Sequence, residues 1–393
     1  MKNIFFITEL FYPNKTSTAY IMTEIAKHFT SRRNVSVICS AAAYDENVSS
    51  IPEEGIEKMN MILCETPKVD KNKSLSRILG AMRVTLSFAG KILKYVKKDD
   101  TVFAVTNPFL LVLLLAVLKP IKKFKYKLLV HDVFPENAVP AGVLSNTSLM
   151  YKITKKLYDW AYSQADDLVV LGRDMQELVI SKSNKPNNVH VVENWYDSDL
   201  NFEPNFDRNA YLGFNVDGKI IIGFGGNIGR VQKVLDFVKT FSKVKNDKLI
   251  VLIVGEGAER KDVIDFVESN NMKNVFTLGP KNRNEQSMFL NCFDIGLISL
   301  ASNMYGLGVP SKSYNLLYLG KPLLFIGDKE SEIDLLVREK SVGRSFTWEE
   351  EKELISYLNS LESVDEVQSN NARRLAAEEY NEKVILSKLD NII

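Results

Sequence analysis

Residues 219–230 read KIIIGFGGNIGR, and this stretch decides the fold. Its first half is an unbroken apolar, β-branched run without polar alternation, the pattern of a strand covered on both faces in a parallel sheet. The run then breaks into Gly225, Gly226 and Gly229, and residues 231–244 return apolar positions at helical spacing. Strand, glycine turn and helix in that order open a Rossmann-like unit. Because the stretch lies past the middle of a 393-residue chain, it reads as a restart.

Working outward, the same alternation runs in both directions. Upstream, continuous apolar runs predict strands at 3–8 (NIFFIT), 35–41 (VSVICSA), 61–65, 102–106, 127–130 (KLLV), 168–171 and 189–192. Helical spacing fills the gaps, as in Tyr20, Ile21, Ile25 and Phe29, and again over 75–96. Downstream, strands are expected at 249–254 (LIVLIV), 275–278, 295–299, 323–326 and 343–346. Alternating strands and helices imply α/β architecture. The expectation is two Rossmann-like domains with parallel sheets facing across a cleft, matching a length of roughly 100–200 residues per domain. The first domain is placed at 1–200 and the second at 201–371. The polar, aperiodic segment 199–217 is read as the linker, and the helical pattern at 372–393 is expected to pack back on the first domain.

Composition narrows the function. Hydrophobic residues at 45% and charged residues at 25% exclude disordered, collagenous and coiled-coil chains. A net charge of +1 gives no whole-protein field for nucleic acid, and none is expected as a partner. That total hides an asymmetry: from Lys71 to Lys127 there are thirteen basic residues against only Asp99 and Asp100, a local charge of +11. Within it, residues 74–98 mix Leu, Ile, Met, Val and Phe with Lys and Arg, which suits an anionic membrane surface; a solvated helix face over a core is the alternative. The longest apolar run, FLLVLLLAVL at 109–118, is about half the ~20 residues of a membrane span. The N-terminus has neither the apolar length nor the cleavage site of a signal peptide. Cys39, Cys64 and Cys292 form no CxxC, so a disulfide framework and a cysteine zinc site are not supported. A cytoplasmic location, peripheral on the inner membrane face, is the expectation.

In such folds ligands bind at the carboxyl ends of the strands. There, Gly225 and Gly226 let backbone amides approach an anion, although a tight strand–helix turn would use the same glycines. The stretch YGLGVPSKSYN, residues 305–315, places Ser311 and Lys312 at a helix start. A lysine there opposes the helix dipole unless an anion is present, so the misfit points to phosphate. In the first domain, His131 and Asp132 follow the strand KLLV and are the candidates for chemistry, with Asp132 the group to accept a hydroxyl proton; Glu136 is a weaker candidate that orients a partner. Thr16, Ser17 and Thr18 follow the first strand, as acceptor contacts or as a helix N-cap. Asn107 and Arg173 also fall at strand ends on the acceptor side.

PSKSYNLLYLGKPLLFIG, with GFGGNIG, GEG and HDVFPE, resembles GT-B glycosyltransferases of family GT4, in a branch with the signature PSKxYxxLAxGKP, and the likeness extends over essentially the whole chain. The resemblance implies a retaining, metal-independent glycosyltransferase without a cofactor. It would use a nucleotide-sugar donor, a UDP-sugar, in the second domain and a lipid-linked glycan acceptor in the first, for bacterial O-antigen, capsule or exopolysaccharide synthesis. It assigns Gly255, Gly257, Leu278 and Pro280 to the nucleotide. Two departures stand out. Asn315 and Leu307 occupy the positions of the family's glutamate pair, and Asn227 and Gln232 those of its usual arginine and lysine. Arg230, Lys233 and Lys312 are left to supply the positive charge, and Glu332 a carboxylate to ribose or sugar. A nucleotide-sugar epimerase or hydrolase of the same fold, and a degenerate non-catalytic partner subunit, remain as alternatives.

Overall fold

The computed structural model describes residues 3–14, 16–41, 54–65 and 74–393; Lys71 and Lys73 of the basic stretch lie outside them. The chain divides into two compact units, one of Met1–Val139, Leu144–Val192 and Leu386–Ile393, the other of Pro140–Val143 and Glu193–Ile385.

The first unit holds strands β1 (Asn3–Ile7), β2 (Asn34–Ser40), β3 (Asn60–Cys64), β4 (Thr101–Val105), β5 (Lys125–Val130), β6 (Asp167–Val170) and β7 (Val189–Val191). Around them lie α1 (Ser17–Phe29), α2 (Ser74–Tyr95), α3 (Leu110–Lys122), α4 (Leu149–Gln164) and α5 (Arg173–Ser183). The strand order is β3-β2-β1-β4-β5-β6-β7, with every pairing parallel. The run 109–118 becomes α3, with Leu111, Val112, Leu115, Ala116 and Leu118 buried. No helix among the described residues is long and apolar enough to cross a membrane. Of the segment 372–393 only Leu386–Ile393 joins this unit, while 372–385 belongs to the second; Asp390 bonds His28 at 2.7 Å and Arg32 at 2.6 Å, and Arg33 donates to the carbonyl of Ile393.

The second unit comprises α6 (Arg208–Leu212), β8 (Ile220–Asn227), α7 (Val234–Phe241), β9 (Leu249–Glu256), α8 (Arg260–Ser269), β10 (Val275–Leu278), α9 (Gln286–Asn291), β11 (Ile295–Ser299), α10 (Lys312–Tyr318), β12 (Leu323–Ile326), α11 (Glu332–Lys340), β13 (Gly343–Phe346), α12 (Glu351–Ser360) and α13 (Glu366–Glu379); α14 (Glu382–Leu389) follows. Its order, β10-β9-β8-β11-β12-β13, repeats that of the first sheet up to one strand. Every strand read from the sequence is present. Both sheets reverse direction of growth beside their first strand, the switch point where doubly wound folds bind ligands.

Two expectations shift. The helix expected over 231–244 covers only Val234–Phe241. Its predicted first turn is held elsewhere, because Ser299 Oγ donates to the Gln232 carbonyl and the Ala301 N–H to that of Val231, and Lys233 takes a φ of +52°. The polar segment 199–217 is not plain linker either. It contains α6, capped by Asp207 and tied to the second unit by Arg208 to Asp294 at 2.6 Å.

The core leaves no room at Gly223 of β8, where a methyl group would sit 2.0 Å from the buried ring of Phe293. Gly223→Ala is expected to destabilise the second unit by about 2–3 kcal/mol, read as a lower urea midpoint of its transition.

Candidate functional site

In the second unit the site is built on a close approach of two strand ends. Gly226 pairs with Gly255 across β8 and β9. Gly255 has a φ of +149°, and a methyl group there would lie 1.8 Å from the Gly226 carbonyl oxygen. Gly257, at φ +159°, meets the Ile228 carbonyl at 2.3 Å in the same way. Only glycine fits such positions. The two loops are laced together: Ile228 N–H donates to the Glu256 carbonyl, and Glu259 N–H to that of Ile228.

Lys312, the first residue of α10, lies over this bare backbone. A methyl group on Gly226 would come 3.2 Å from Lys312 Cε and 3.3 Å from Nζ. The ammonium makes no ion pair or hydrogen bond among the described residues, and burial pushes its pKa down to about 8. An ammonium held against glycine backbone without a counter-ion is a site for an anion. Ser311, at the N-cap of α10, makes no capping bond with its side chain. α10 has only seven residues, so its dipole is a minor contributor beside the lysine charge.

The loop before α10 is shaped by Asp328, which follows β12. Its carboxylate accepts the N–H groups of Asn303, Met304 and Tyr305 at 2.6–3.1 Å. Nothing in the sequence reading singled out Asp328; an acid just past a strand end was its available signal. Asn315 uses its side-chain oxygen to accept the Asp197 N–H at 2.9 Å, and so anchors the segment that enters this unit. Asn227 donates to Gln232 at 3.3 Å, Lys233 pairs with Asp236 at 3.0 Å, and Arg230 is exposed. Glu332 is buried as the first residue of α11. Leu278 ends the edge strand β10, and exposed Pro280 follows it.

The first unit gathers a different chemistry at its strand ends. Thr106, just past β4 and buried, accepts the backbone N–H of both His131 and Asp132, each at 3.2 Å. This hydroxyl, missed in the sequence, fixes the turn after β5. His131 Nε2 is buried with no hydrogen-bond partner among the described residues, and burial lowers the ring to about 4, so the imidazole is neutral near pH 7. Burial raises the Asp132 carboxyl, although the residue is partly open to solvent. Glu9, two residues past β1 and also missed, has its carboxyl raised by burial. β1, β4 and β5 are neighbours, so Glu9, Thr106 and His131 line one edge of the sheet. A neutral imidazole with adjoining carboxyls can bind hydroxyl groups and accept a proton.

The remaining candidates are placed less centrally. Thr16 is the N-cap of α1, accepting from Ala19 N–H at 3.3 Å, with Ser17 and Thr18 in the first turn. Asn107 follows Thr106, and Arg173 begins α5. Glu136 is engaged inside the unit by Lys182, at 2.7 and 2.8 Å, and by Lys155 at 3.3 Å.

Two Rossmann-like parallel sheets of matching strand order are the fold of the GT-B glycosyltransferases. The chain is 32% identical over 345 residues to the Pseudomonas aeruginosa protein described as "Probable glycosyltransferase WbjE", covering 87% of this chain and 85% of that one. It belongs to that glycosyltransferase family. No protein-family model matches the chain. Among solved structures, sucrose-phosphate synthase of Thermosynechococcus elongatus superposes with a TM-score of 0.79 at 13% identity, over 100% of this chain and 98% of that one. Anabaena HepE in complex with UDP gives 0.73 at 14% identity, covering 100% and 99%. WaaG, a glycosyltransferase of lipopolysaccharide biosynthesis, gives 0.67 at 12%, covering 99% of each. These likenesses share the fold.

The lysine has a pH signature. Its depressed pKa means the free folded protein binds fewer protons than the unfolded chain above about pH 8, so stability rises with pH across that window. Lys312→Met is expected to raise the melting temperature of the free protein by ~2 °C and to abolish its stabilisation by inorganic diphosphate. In the wild type, affinity for inorganic diphosphate should fall as pH rises through about 8, whereas Lys312→Arg should bind equally at pH 7 and 9; thermal shift at several pH values reads both.

Proposed function

We propose that this chain is a retaining, metal-independent glycosyltransferase that moves a sugar from UDP-sugar to a lipid-linked glycan acceptor, in assembly of a cell-surface polysaccharide at the inner face of the membrane. The observation that carries the reading is the unpaired Lys312 ammonium over the Gly226 backbone. A diphosphate leaving group gains charge as the anomeric C–O bond breaks, and a fixed cation with backbone amides meets that charge without a metal. Arg230 adds a second cation at the loop after β8. The named relatives point the same way: HepE structures hold UDP and UDP-glucose, and WaaG acts in lipopolysaccharide biosynthesis.

The acceptor is assigned to the first unit and the donor to the second. The acceptor hydroxyl oxygen attacks the anomeric carbon, the bond to the diphosphate oxygen breaks, and UDP departs. Asp132, or an oxygen of the departing phosphate, takes the hydroxyl proton. The raised Asp132 carboxyl has a stronger pull on that proton than an ordinary aspartate. His131, neutral, orients the acceptor by hydrogen bonding. Gly255, Gly257, Leu278 and Pro280 are assigned to the nucleotide, and Glu332 to ribose or sugar. The acceptor's lipid explains a basic stretch in this unit.

The test is transfer from a panel of UDP-sugars to lipid-extract acceptors with chelator present. Lys312→Ala is expected to lose at least about 100-fold in turnover while keeping its fold, and Asp132→Asn at least about 100-fold with UDP binding unchanged. Wild-type rates in Lys312→Ala, or donor breakdown that needs no acceptor, would overturn the reading.

A further inference from the structure

The outer face of α4 is apolar. Leu149, Met150, Ile153, Leu157 and Trp160 are each 44–73% exposed, while Tyr158, Ala161 and Tyr162 of the same helix are buried. At about 100° per residue the five exposed side chains share one arc roughly 100° wide, separate from the buried three. A helix on a water-facing surface carries polar residues there. Beyond the apolar arc, on the side away from the core, stand the exposed Lys152 and Lys156. The only acid of α4, Asp159, is held by Lys155 and Lys182, each at 2.7 Å. α3 packs along α4 and exposes Val117 and Ile121, with exposed Lys123 and Lys125 just beyond its end.

Charge selects the occupant. A second copy of the chain docked about a two-fold axis would bring the same patch, with the same sign of charge, against this one. The exposed face is an apolar strip edged by one sign of charge. That combination matches the headgroup–acyl boundary of an anionic bilayer, where the strip enters the apolar layer and lysines stay at phosphate level.

We propose that α4 is the membrane-inserting element of this protein, with Leu149, Ile153, Leu157 and Trp160 dipping into an anionic bilayer and Lys152 and Lys156 holding its phosphates. This deepens the membrane part of the functional reading. It assigns the apolar insertion to a helix outside the basic stretch from Lys71 to Lys127.

The full chain is sedimented with vesicles of phosphatidylglycerol and phosphatidylethanolamine, and with vesicles of phosphatidylcholine alone. Wild type is expected to pellet with the first and not the second. Leu149→Ser, Ile153→Ser and Leu157→Ser combined should lower the partition coefficient at least about tenfold, with melting temperature and UDP binding unchanged. Lys152→Glu with Lys156→Glu should weaken binding most at low salt. Trp160 fluorescence should shift to the blue on adding the anionic vesicles, and that shift should vanish in Trp160→Phe. The proposal is overturned if wild type stays in the supernatant, if the triple variant pellets like wild type, or if the triple variant instead dissolves a wild-type dimer in sedimentation velocity. UDP binding is read separately, so loss of the transferase reading leaves the vesicle result standing.

Discussion

Parallel pairing within each sheet is the constraint from which the rest follows. It brings all the carboxyl ends of a sheet out on one edge, so the residues just past each strand become neighbours whatever their distance in sequence. In the second unit that edge joins Gly226, Gly255 and the loop that Asp328 shapes. In the first it joins Glu9, Thr106 and His131. The same strand order in both sheets therefore yields two sites of opposite character, a cationic one and one of neutral or acidic groups.

The cationic site is kept at a cost to the free protein. An ammonium against glycine backbone loses hydration and gains no counter-ion, which is why its pKa falls. The glycines are part of the same arrangement. A side chain at Gly226 would displace the lysine, and one at Gly255 would push the two strand ends apart. A bound anion would offset the hydration that the lysine has lost, so ligand and folded state would stabilise each other.

Much of this was legible in the sequence. Unbroken apolar runs located the strands, because burial on both faces erases the polar alternation that otherwise confuses them. Lys312 was legible as a local misfit of charge. What the sequence hid were groups whose role depends on distant partners. Thr106 matters only because the turn of residues 131 and 132 folds over it, and Asp328 only because residues 303–305 reach it. The helix expected at 231 starts three residues late because Ser299 and Ala301, some seventy residues on, hold its first turn. The α4 face was hidden for another reason. Its composition alternates Lys with apolar residues as an ordinary amphipathic helix does, and only the fold shows that a second apolar arc stays outside.

The return of the last eight residues to the first unit makes the chain's topology discontinuous. Asp390 and Ile393 close ion pairs and hydrogen bonds with His28, Arg32 and Arg33, near the opposite terminus. Cutting after residue 192 would therefore release a fragment missing part of its own packing. Exchange of the second unit between relatives by recombination accordingly needs two crossover points, flanking it as an insertion, rather than one.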